Sequence, residues 1–82
     1  MRVAFRFLCA DLPIEPGSQE AEITDGANID QALAEFAKLK QMEDSLHTLR
    51  QSMFIIGKKP AQLDAVLHHD DELVVMRILH GG

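Results

Sequence analysis

The stretch Asn28-Ile29-Asp30-Gln31-Ala32-Leu33-Ala34-Glu35-Phe36-Ala37-Lys38-Leu39 decides the fold. Ile29, Ala32, Leu33, Phe36 and Leu39 recur at helical spacing and give one apolar face, so the segment reads as an amphipathic helix. Its start is written locally. Asn28 is a good N-cap because its side-chain oxygen accepts a backbone hydrogen bond from the first turn. Gln31, three positions on, completes a capping box, and Asp30 suits the positive end of the helix dipole.

Working outward, the segment before the helix is strand-like. Val3, Phe5, Phe7 and Cys9 alternate with Arg2, Ala4, Arg6 and Leu8, the period of a half-buried strand. Leu12 to Ser18 carries two prolines and a glycine and reads as a loop. Gln19 to Ile23 alternates again, with Ala21 and Ile23 inward, and Asp25-Gly26 closes it. Glu20 and Glu22 either face Arg2 and Arg6 across an antiparallel pair or are solvated charges.

After the helix, Met42, Leu46, Leu49 and Met53 fall at helical spacing, which allows a short second helix over Asp44–Arg50. Met53 to Ile56 is a compact apolar run, read as a strand that ends in a turn at Gly57-Lys58-Lys59-Pro60. Gln62 to Asp71 is irregular, anchored by Leu63, Val66 and Leu67, and Glu72 to Leu79 is the last strand. Two strand pairs flanking one amphipathic helix make an α+β layer pair. The first and last strands lie side by side and parallel at the centre of a mixed sheet of four or five strands, the β-grasp arrangement.

The 82 residues suffice for one domain, with a flexible tail from about His80. Hydrophobic residues at 46% and charged residues at 26% describe a globular chain rather than a disordered one. The net charge of -5 argues against nonspecific binding to nucleic acid or an anionic membrane. A single cysteine excludes an internal disulfide framework and a multi-cysteine zinc site, so the cytoplasm is the default compartment. Arg6 interrupts the apolar run Val3–Leu8, so the N-terminus does not read as a signal peptide, and no stretch approaches the roughly 20 apolar residues of a membrane span.

The chain ends in Gly81-Gly82 directly after a strong strand. Glycine is the worst residue for pinning a terminus, because it loses the most entropy on ordering. Chemically the pair has advantages: without side chains it threads a narrow channel, and a terminal glycine carboxylate is unhindered for attack on the α-phosphate of ATP. The acyl-adenylate so formed is open at its carbonyl to sulfur from a persulfide. Taken alone, the pair is also compatible with a frayed end.

In context the sequence resembles the MoaD/ThiS family of ubiquitin-like sulfur carriers along nearly its whole length. The strand Met1–Phe7, the acidic second strand, Asp25-Gly26-Ala27-Asn28-Ile29-Asp30-Gln31-Ala32-Leu33 at the helix start, the hairpin Ile55-Ile56-Gly57-Lys58-Lys59-Pro60 and Leu67-His68-His69-Asp70-Asp71-Glu72-Leu73 before the last strand match that family in order. It departs from the pattern at Ile56, where the family commonly has Asn, and at Asp70, which replaces a glycine but tolerates a left-handed turn. Arg77-Ile78 stands where the molybdopterin branch often has paired prolines.

The resemblance implies that Gly82 is adenylated and converted to a thiocarboxylate, with Gly81 keeping the tail thin. The protein would then be a co-substrate, not an enzyme, with no tightly bound cofactor and no catalytic residue of its own. Its implied partners are a ubiquitin-activating-type adenylyltransferase that spends ATP and a sulfur-accepting synthase subunit, in molybdopterin or thiamine thiazole biosynthesis. It would be a monomer when free. Two other readings share the fold: a ubiquitin-like modifier joined to a target lysine through Gly82, and a β-grasp binding module with an inert tail.

If Leu73 and Val75 pack under the helix, Val74, Met76 and Ile78 emerge on the open face of the sheet. Phe54 and Ile56 would join them if Met53 and Ile55 point inward, giving with His80 a surface for docking a partner. A shifted register would instead return some of these side chains to the core. Cys9 reads as a small buried residue near a strand end rather than a nucleophile, since no histidine can be assigned as its base. His68-His69-Asp70-Asp71 looks superficially like a metal site, but adjacent residues rarely face one ion, and no metal is expected.

Overall fold

A computed structural model describes residues 1–9 and 17–77. Asn28 caps α1 (Ile29–Leu39) as its sequence dictates: Asn28 Oδ1 accepts from Gln31 N at 2.8 Å, and Gln31 Oε1 accepts from Asn28 N at 3.0 Å. Before it lie β1 (Arg2–Cys9) and β2 (Gly17–Glu22). After it come a 3-10 turn (Glu43–Ser45), α2 (Leu46–Arg50), β3 (Met53–Ile56), β4 (Lys59–Ala61) and β5 (Glu72–Arg77). The five strands form one sheet in the order β2-β1-β5-β3-β4. β1 and β5 are parallel neighbours, and every other pairing is antiparallel.

The helix covers one face of this sheet. Ile29, Ala32, Leu33, Phe36 and Ala37 bring the apolar stripe of α1 onto Val3, Phe5 and Phe7 of β1 and Leu73 and Val75 of β5, all of them buried. Phe36 is the keystone, with its ring centroid 4.6 Å from Phe5 and 5.1 Å from Phe7. Leu49 of α2 and Leu67 close the sides of the core. No polar or charged residue is buried among the described residues.

Several expectations need correction. Leu39 is 60% exposed, because it lies at the edge of the apolar stripe in the last turn of α1, where Ala37 takes the inward position. Gly17 and Ser18 belong to β2 rather than to a loop, and Arg6 pairs with Ser18, leaving Arg2 alone between Glu20 and Glu22 at 3.8 and 3.9 Å. Met53 does not continue a helical face; it opens β3 and is 57% exposed. The turn after β3 is confined to Gly57 and Lys58, both at positive φ, so Lys59–Ala61 returns as an edge strand. Val66 is 52% exposed and contributes only a backbone bridge to Asn28, whereas Leu67 is the anchor of its loop.

Candidate functional site

Gly81 and Gly82, with Ile78 and His80, lie outside the described residues. What is described is the root from which they continue. β5 is the central strand, held by β1 on one side and β3 on the other. At its end, Arg77 pairs with Cys9, and Arg77 Nη1 donates to Thr48 O at 3.0 Å, tying the strand to α2. Cys9 Sγ donates to Val75 O at 3.5 Å, the role of a half-buried strand-end thiol. The last described residue is therefore fixed from two directions, by the sheet and by a helix.

The open face of the sheet carries the second part of the site. Met53 pairs with Met76 and Ile55 with Val74, while Leu8 pairs with Met76 and Arg6 with Val74. Leu8, Met76 and Met53 consequently form a row across three strands at the C-terminal end of β5, and Arg6, Val74, Ile55 and Pro60 form the next row. Leu8 and Met53 are 42% and 57% exposed, and Val74, Met76 and Ile55 are half-buried. Farther along, Glu72 and Glu20 flank Ala4 and turn the face polar. The apolar part thus sits next to the tail root.

Of the docking residues expected from sequence, Val74 and Met76 are on this face. Phe54 and Ile56 are not. Phe54 pairs with Val75 and Ile56 with Leu73, and those two partners are fully buried under α1, so Phe54 and Ile56 point to the same side. Phe54 is 6% exposed within the core and Ile56 packs against it. A four-residue run that is apolar throughout gives no parity of its own, and one step of register exchanges its two faces. The larger aromatic side chain takes the interior, where it gains most from burial. Met53, Ile55 and Leu8 stand on the open face in their place. The regular alternation of β1 did place Leu8 opposite the core-facing phenylalanines.

The two adjacent histidines turn to different partners. His68 Nδ1 lies 3.6 Å from Asp71 Oδ2, whereas His69 Nδ1 accepts from the backbone N–H of Arg2 at 3.0 Å. Among the described residues no three His, Cys, Asp or Glu side chains are grouped to hold an ion. At the other end of the sheet the Met1 ammonium donates to Asp25 Oδ1 at 2.6 Å and to Ile23 O at 2.8 Å. The Asp25 hydrogen bond raises the ammonium above its ordinary 8.0, and the same bond holds Asp25 below its ordinary 3.8. This ion pair ties down the start of β1. Among the described residues, no helix is long and apolar enough to cross a membrane.

A five-stranded mixed sheet with parallel central strands, covered by one helix, is the ubiquitin-like β-grasp fold. Among solved structures the chain is similar to the crystal structure of SAMP1 from Haloferax volcanii, with a TM-score of 0.75 over 100% of both chains and 15% sequence identity. That likeness is one of fold. No protein-family model matches the sequence, and no curated protein matches it either.

Proposed function

We propose that the protein is a sulfur carrier of the MoaD/ThiS type and that the carboxylate of Gly82 is its reacting group. The observation that carries this reading is the union of two features: a side-chain-free Gly81-Gly82 end, and a β-grasp body whose central strand leads to it. The firmly held Arg77 root gives a partner a fixed point, and residues 78–82 reach at most about 18 Å beyond it. An enzyme that grips the row Leu8, Met76 and Met53 thereby has the glycine within reach of its active site.

The chemistry belongs to the partner. A carboxylate oxygen of Gly82 attacks the α-phosphorus of ATP and pyrophosphate leaves, giving an acyl-adenylate. A persulfide sulfur then attacks the carbonyl and AMP leaves. A thiol cleaves the resulting acyl disulfide, takes up one sulfur as a disulfide, and frees the thiocarboxylate. The carrier supplies grip and reach, so it acts as co-substrate for an ATP-dependent adenylyltransferase and then for a sulfur-accepting synthase in the cytoplasm. Transfer to molybdopterin or to thiamine thiazole has the same requirements at this end of the molecule.

Deletion of Gly82 tests the reading. Sulfur transfer in an extract of the native host supplied with ATP should be abolished. The melting temperature should stay within about 1 °C, because a terminal residue makes few contacts. A variant that still forms the thiocarboxylate, or that loses several degrees, contradicts it. Lysine adducts of the intact chain, with no thiocarboxylate, would assign the same glycine to protein conjugation instead.

A further inference from the structure

The two edges of the sheet are built differently. β4 is three residues long and contains Pro60, which has no N–H to offer, so that edge is blunted. β2 is six residues long. Ile23 N donates to Met1 O at 2.8 Å and Met1 N donates to Ile23 O at 2.8 Å, so Met1 and Ile23 are a hydrogen-bonded pair. Alternation along an antiparallel ladder then assigns Val3–Ala21, Phe5–Gln19 and Phe7–Gly17 as the bonded pairs. The backbone N–H and C=O groups of Ser18, Glu20 and Glu22 must point away from β1. The next outward amide in the series, Thr24 N, is already taken by Glu35 Oε1 at 3.0 Å, which sets one limit of the open edge.

From this edge we infer that β2 accepts an extended basic segment of a partner protein as a sixth strand, with Lys or Arg at every second position. Six backbone groups at three alternate residues provide the ladder. The side chains of Glu20 and Glu22 are 66% and 75% exposed; they lie 3.8 and 3.9 Å from the Arg2 guanidinium, and Glu22 lies 3.8 Å from the Met1 ammonium as well. Their carboxylates remain largely open to solvent, so cationic side chains opposite them would add an ion pair to each. A second copy of this chain is a poor occupant, because pairing two β2 edges sets glutamate against glutamate, a destabilising arrangement across strands. On the other side of β2, Ala21 is small and half-buried, so aliphatic residues between the cations would cover it. The inference is independent of what happens at Gly82.

The test uses the isotope-labelled 82-residue protein and an acetylated, amidated heptapeptide of alternating Val and Lys. Residue-resolved amide NMR should show shifts and slowed exchange at Ser18, Glu20 and Glu22. Exchanging the peptide's Lys for Glu should abolish binding. Glu20→Lys with Glu22→Lys should weaken it about tenfold, the scale of two exposed ion pairs reversed in sign. A peptide N-methylated at the amides facing β2 should also bind about tenfold more weakly, since it keeps the charge and loses the ladder. The inference is overturned if those three amides do not respond at millimolar peptide, if the N-methylated peptide binds equally well, or if the response is confined to Leu8, Met53 and Met76.

Discussion

Asp70 stands at φ +68° in the turn before β5, a left-handed conformation that most side chains resist. The backbone there is held by Asp70 N donating to Arg2 O at 2.7 Å, a bond that any residue but proline can make. The side chain contributes little beyond an exposed contact with His69 Nε2 at 3.5 Å. Asp70→Gly should therefore stabilise the protein by about 0.5–1 kcal/mol and Asp70→Ala should destabilise it by a similar amount, both read by denaturant unfolding. Asn28 shows the opposite economy, with one side chain satisfying the first turn of α1. Asn28→Ala should cost about 1 kcal/mol in the same measurement.

At the scale of elements, β3 sets two neighbouring residues to opposite tasks. Phe54→Asp places a charge in the core and should leave the protein largely unfolded by circular dichroism. Met53→Asp should leave the melting temperature nearly unchanged and, on the proposed carrier role, weaken docking to the proposed adenylyltransferase at least tenfold, because Met53 lies on the exposed row beside the tail root. Equal loss of stability in both variants would mean that the open face is structural. The helix, its cap and the alternation of β1 were legible because each is a repeated or locally bonded pattern. The facing of β3 was not, because Met53, Phe54, Ile55 and Ile56 are all apolar and the deciding information sits in β5. The edge strand β4 escaped notice for a similar reason: Lys59-Pro60-Ala61 has no strand composition, and its conformation is imposed by the tight turn at Gly57 and Lys58. The make-up of the open face was half legible, through Val74 and Met76, since burial of Leu73 and Val75 fixes the parity of β5.

At the scale of the whole molecule, the two ends of the sheet are fastened differently. One end is fastened by the ion pair of the Met1 ammonium with Asp25. The ammonium has a raised folded-state value, so its contribution is complete below pH 8.0 and is lost as pH rises through that raised value. Asp25 has a depressed value, so its contribution is complete above pH 3.8 and is lost as pH falls through the lower folded value. The difference in melting temperature between the native sequence and Asp25→Asn should thus be greatest between about pH 4 and 8 and shrink on both sides. A difference that is constant with pH would contradict this assignment.

The other end of the sheet closes at Arg77, and the chemistry proposed for the residues that follow has one direct measurement. The intact mass of the protein purified from its native host, followed by fragmentation, reads the chemical state of the last residue. A sulfur carrier should show a population in which sulfur replaces one oxygen, with the change confined to the Gly82 fragment. A chain that carries an ordinary carboxylate throughout, and acquires neither AMP nor sulfur when the host extract is supplied with ATP, would contradict that reading.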